Sequence, residues 1–132
     1  MEVYTMGAWS VESFGNDDAL DWFGDLQSAP DALYFIDETL AAGTTESVVA
    51  AGAVLAVLNS KDSSGVHPDV AAWCTGRSAP PAELKQAAVS AIQTILDDPE
   101  VDGHDVWAEL GEDDEDYLAW LANLKSIQAR PQ

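Results

Sequence analysis

From Val48 to Leu58 the chain runs eleven residues without one polar or charged side chain. As a helix this stretch is apolar on every face, and such a helix belongs in the middle of a bundle. It is too short to cross a bilayer, which takes roughly 20 apolar residues. Thr44 or Thr45 is positioned to cap it, with Glu46 in the first turn, where a carboxylate suits the helix dipole. Ala50, Ala51, Gly52, Ala53 and Ala56 are small enough to let neighbouring helices approach closely. One segment therefore sets the problem for the rest of the chain, which must surround it.

The surrounding sequence reads as helices. Asn16 is a candidate N-cap, followed by Asp17 and Asp18, and Ala19, Leu20, Phe23 and Leu26 share one face. Ser28 and Pro30 restart a helix with Asp31 three residues after the cap; Leu33, Ile36 and Leu40 form its stripe and Gly43 stops it. Asn59 to Gly65 reads as a polar loop, and His67-Pro68-Asp69 opens a short helix ending near Gly76. From Pro81 the period is strongest, with Leu84, Ala88, Ile92 and Ile95 in register. Asp97 to Asp105 breaks it, and Val106, Trp107 and Leu110 predict one more turn before Gly111. The last helix starts acidic at Glu112–Asp116 and ends basic at Lys125–Arg130, with Tyr117, Leu121, Leu124 and Gln128 on one face and Trp120 beside it. Strand alternation is confined to a possible extended stretch from Tyr4 to Val11. The expected fold is all-α: a single compact array of five or six helices around a central apolar helix. Residues 1–132 form one domain, with 1–15 as an irregular N-terminal segment.

Charge restricts the partners. Twenty-four Asp and Glu face five cations, Lys61, Arg77, Lys85, Lys125 and Arg130, for a net charge of −19. Repulsion from phosphates opposes binding to nucleic acid or to an anionic membrane, and the same field attracts a basic protein or cations. Solubility or adaptation to salt is the bland reading of that charge. The single cysteine, Cys74, excludes an internal disulfide, and its apolar neighbours from Val70 point to a buried thiol. Met1 to Thr5 lacks the basic start of a signal peptide, so a cytoplasmic location is expected by default.

Chemistry-bearing patterns are few. Asp98, Glu100, Asp102 and Glu109 fall at positions one, three, five and twelve of a calcium-loop template, with Gly103 at six. Those spacings wrap oxygen ligands around one cation. Against this, Glu occupies position three, Asp105 stands where an apolar residue belongs, and there is no second loop to pair with. A polar connection between helices is the better reading, with a single EF-hand-like calcium site as the alternative. Trp9, Asp17, Asp18 and Asp21 are candidate partner-binding residues: Trp9 precedes the first helix in a Gly-rich segment, and Asp17 and Asp21 lie one turn apart. Capping explains the aspartates adequately, and burial is favoured for Trp9. The run Glu112–Asp116 reads first as a solvated helix start and second as a docking surface for a basic partner. His67 and His104 lack metal-motif spacing, and no nucleophile elbow, P-loop or dinucleotide fingerprint occurs. Trp22, Trp73, Trp107 and Trp120 sit among apolar neighbours and are expected in the core.

Met6-Gly-Ala-Trp9, followed by Phe14-Gly-Asn-Asp-Asp-Ala-Leu-Asp-Trp22, resembles the opening of a bacterial family called domain of unknown function 4259. Val106-Trp-Ala-Glu-Leu110, with Tyr117 to Leu124 behind it, is similar to that family's C-terminal half. Ser10-Val11 stands where the family has a small Gly-Thr-like pair after the tryptophan. The resemblance implies a small helical bacterial protein, suggests Met6 as a start, and carries over no catalytic residue.

The functional expectation is a non-enzymatic protein-interaction module, an inhibitor or immunity-type binder of a basic partner. No cofactor is expected unless calcium occupies the Asp98–Glu109 loop.

Overall fold

The computed structural model describes residues 17–60, 68–98, 100–101 and 104–129. Among these the chain forms only helices: α1 (Asp17–Ser28), α2 (Ala32–Ala42), α3 (Thr45–Ser60), α4 (Pro68–Cys74), α5 (Ala82–Asp97), α6 (His104–Ala108) and α7 (Glu115–Ala129). α6 is a single turn of five residues. Six longer helices remain, so the all-α array around a central apolar helix is what the chain builds. Segment 1–15, with its Tyr4–Val11 stretch and Trp9, lies outside the described residues, as do His67 and Asp102.

α3 is the centre. Thr44 caps it: its Oγ1 accepts the Ser47 N–H at 3.1 Å, and Ser47 Oγ donates back to the Thr44 carbonyl at 3.0 Å. Every residue from Val48 to Leu58 is buried, each Val or Leu contributing roughly 1.5–3 kcal/mol of burial. α1, α2, α4, α5 and α7 all pack against it. A Cβ on Gly52 would stand 2.7 Å from Ile92 Cδ1 and 3.0 Å from Ile127 Cγ2, so glycine is what lets α5 and α7 close in on this turn. The helix also continues through Asn59 and Ser60, where a loop is expected from sequence. Lys85 Nζ donates to Asn59 Oδ1 at 3.2 Å, which ties this polar end down onto α5.

On α1, α2 and α7 the predicted stripes are right in period and partly displaced in phase. On α1, Ala19, Trp22, Phe23 and Leu26 are buried, whereas Leu20 is 38% exposed. The cause is Trp22, whose Nε1 donates to Thr39 Oγ1 at 2.8 Å and whose ring stacks on Phe35 at 5.7 Å. Ser28 ends α1 rather than capping α2. The cap is Asp31, whose side chain accepts the Tyr34 N–H at 3.2 Å. α2 then buries Ile36, Thr39 and Leu40, and Leu33 is turned outward at 41% exposure.

Gly43 stops α2 as expected, with φ −79°. It is needed for space: a Cβ there would lie 2.6 Å from both Thr39 O and Ser47 Oγ.

α4 begins at Pro68 and buries Val70 and Cys74. α5 buries Leu84, Ala88, Ile92 and Ile95, the predicted set. In α6 Trp107 is buried while Leu110, beyond its end, is exposed. Asp114 is the cap of α7, accepting N–H groups from Asp116 and Tyr117, so Glu112 and Asp113 precede the helix. The inward face of α7 is Tyr117, Trp120, Leu124 and Ile127. Gln128 is half-buried and spans to α5, donating to Val89 O at 3.1 Å.

Candidate functional site

α2 and α5 lie side by side, with a shallow seam between them. At one end Asp31, Leu33, Tyr34 and Asp37 meet Pro81, Glu83 and Leu84 around a depression of about 400 Å³. At the other, Asp37, Leu40 and Ala41 meet Ala87, Ser90, Ala91 and Thr94 around one of about 320 Å³. Asp37 lines both, so the two depressions are successive parts of one seam. Early residues of each helix share the first and late residues the second, so α2 and α5 run in the same direction. Among the described residues the lining holds the carboxylates Asp31, Asp37 and Glu83 and no cation.

Apolar surface lies between these charges. Tyr34 is 60% exposed and Leu33 41%, the largest open aromatic and aliphatic groups on this face. Glu38 accepts a hydrogen bond from the Tyr34 hydroxyl and places its charge beside it, pushing the phenol above its ordinary value of 10.0. The seam thus combines open apolar groups, small residues and negative charge. That arrangement suits a cationic, partly apolar ligand.

The second polar centre faces inward. His104 is 1% exposed, the most deeply buried polar side chain among the described residues. Its Nδ1 lies 2.6 Å from the Ile95 carbonyl and its Nε2 2.8 Å from the Tyr117 hydroxyl. A carbonyl only accepts, so Nδ1 carries the proton and donates, and Nε2 accepts from Tyr117. Trp120 packs on the ring at 5.0 Å between centroids, and Trp107 stacks on Trp120 at 5.9 Å. The imidazole therefore ties α5, α6 and α7 together at a point where its sequence context suggests only a helix edge. The signal that could have revealed it is Tyr117, thirteen residues on, the partner a buried histidine needs.

The sequence-predicted site residues are dispersed. Asp98, Glu100 and Glu109 are exposed, and Asp98 Oδ1 accepts the Glu100 N–H at 3.0 Å. Asp102 is outside the described residues. Among the described residues no group of three or more His, Cys, Asp or Glu side chains is placed to hold a metal ion. Asp17 and Asp18 begin α1, and Asp21 is exposed one turn later; none of the three is among the residues that line the α2–α5 seam. Trp22, Trp107 and Trp120 are core, while Trp73 is half-buried beneath Arg77, whose guanidinium carbon stands 3.7 Å above its ring. No helix among the described residues is long and apolar enough to cross a membrane.

The seam residues carry little signal in the sequence. Ala87, Ala91 and Thr94 lie off the Leu84–Ile95 stripe of α5, and nothing local says that α2 lies beside them.

No curated protein matches the chain, and no solved structure matches it. A family model described as Domain of unknown function (DUF4259) matches residues 7–123. That span takes in every helix up to the middle of α7, including the seam and the His104 centre, and the chain belongs to this family.

Proposed function

We propose that this protein is a non-enzymatic interaction module, of inhibitor or immunity type, whose acidic surface binds a basic protein. The observation that supports it is a surface on which negative charge strongly predominates. Exposed carboxylates stand on α1 (Asp21, Asp25), α2 (Asp37, Glu38), α4 (Asp69), α5 (Glu83, Asp97) and α7 (Glu115, Asp116). Three cations are described among them, Arg77, Lys85 and Lys125, and Lys125 is exposed on α7. Arg77 folds onto Trp73 and donates to its carbonyl at 2.8 Å, and Lys85 is turned toward Asn59. A field of this kind accelerates association with a cationic partner and repels an anionic one.

The test is retention of proteins from the native lysate on the immobilised chain, beside an unrelated helical protein of matched charge. The expected result is a basic protein held by this chain and not by the control. It should be released as salt shortens the Debye length from about 10 Å at 0.1 M to about 3 Å at 1 M. If the two columns retain the same proteins, the charge serves solubility and the reading is lost.

A further inference from the structure

We infer that the α2–α5 seam seats one basic amphipathic helix of a partner protein, its apolar side chains on the small residues and its Lys or Arg side chains on the rim carboxylates. This rests on the reading of the chain as a binder of a basic protein and adds the place and the form of the bound segment.

Two parallel helices with a shallow seam offer a third helix a ready berth, since helices pack at 8–10 Å with side chains of one in the groove of the other. Ala41, Ala87 and Ala91 leave room for side chains from outside. Leu33 and Tyr34 add open apolar contact at one end. α2 has eleven residues, about 16 Å at 1.5 Å per residue, so the seam matches about three turns of a partner helix.

Charge selects the occupant. Asp31, Asp37 and Glu83 line the seam, and among the described residues no Lys or Arg lines it with them. Residues 1–16 carry Glu2 and Glu12 and no Lys or Arg, and segments 61–67 and 130–132 carry one such cation each, Lys61 and Arg130, too few to match three carboxylates. A second copy, at −19, is repelled. A cationic helix from another protein satisfies both the apolar floor and the acidic rim.

The experiment titrates the isotopically labelled full chain with a three-turn helix of leucine and lysine, followed by amide NMR shifts and by calorimetry. A peptide of the same composition, shuffled so that the leucines share no face, is the control. The expected shifts concentrate in 31–42 and 81–94, with the shuffled peptide at least tenfold weaker. Asp37→Lys and Ala41→Trp, both at exposed positions, should each weaken binding at least tenfold. Glu109→Lys, an equal change of charge away from the seam, should leave it within threefold.

If Glu109→Lys weakens binding as much as Asp37→Lys, or if the shuffled peptide binds equally well, general acidity does the binding. The seam is then overturned while the basic-partner reading stands. Concentration-dependent shifts at the seam without peptide put a second copy there and also overturn it. Failure of both peptides to bind overturns the seam alone, since the lysate experiment judges the broader reading independently.

Discussion

The His104 centre allows a double-mutant cycle whose outcome follows from counting hydrogen bonds. In Tyr117→Phe the Nε2 lone pair loses its donor inside the core, and a buried unsatisfied polar group costs about 1–3 kcal/mol. In His104→Phe the ring volume is roughly kept. The Tyr117 hydroxyl loses its acceptor, and the Ile95 carbonyl loses one donor while keeping the Asp98 N–H at 3.3 Å. That variant should lose about 2–4 kcal/mol, the orphaned hydroxyl plus one net hydrogen bond of about 1 kcal/mol. The double variant removes donor and acceptor together. It should lose only about 1–2 kcal/mol, less than the sum of the singles by about 2–5 kcal/mol. Urea unfolding followed by tryptophan fluorescence reports on it directly, because the stacked Trp107 and Trp120 sit against the histidine ring. In a chain of this size each kcal/mol moves the melting temperature by about 3–5 °C. Losses that add to within about 0.5 kcal/mol would mean that the two side chains do not share a bond, and the account of this centre would be wrong.

Three further outcomes are expected. Gly52→Ala and Gly24→Ala should have opposite signs in the same unfolding assay. Both gain about 1 kcal/mol of helix propensity, but Gly24 is exposed with open space around it, while Gly52 faces Ile92 and the stiff β-branch of Ile127; overpacking of about 1–3 kcal/mol makes the second change destabilising. Ultraviolet titration, assigned with Tyr34→Phe, should show the Tyr34 phenol ionising above 10.0 and returning toward it in Glu38→Gln; because the folded value is raised, its contribution to stability is present at lower pH and is lost as pH climbs through that value. Calorimetry against calcium should give no saturable heat up to millimolar metal, a range that includes weak extracellular sites; saturable heat abolished by Asp98→Asn would restore the calcium reading of the loop.

The fold was legible wherever a helix has one dominant apolar face or none that is polar. α5 shows its buried set directly as Leu84, Ala88, Ile92 and Ile95, and α3 could only be central. Phase was lost where a large side chain with a polar atom competes for the inside. Trp22 turns α1 because its N–H finds Thr39 across the interface, so Leu20 ends up outside, and no count along the chain contains Thr39. The caps at Asp31 and Asp114 were obscured by the number of acids nearby, each a plausible cap in isolation. The seam was not legible, since it exists only where two helices separated by 39 residues of chain lie together. Leu33, expected inside, belongs instead to its open end.

The all-round burial of α3 also imposes an order on biosynthesis. Thr45–Ser60 leaves the ribosome before α5 and α7, which begin at Ala82 and Glu115 and supply much of its cover. Until they arrive, α1 and α2 can shield only part of a segment that has no hydrophilic side to offer water. During that interval the hazard is coalescence with another nascent chain rather than slow closure of the bundle. Of the 24 acidic residues, the 12 that precede α5 are already in place by then, and their mutual repulsion between growing chains opposes such encounters while the sticky helix waits for its neighbours.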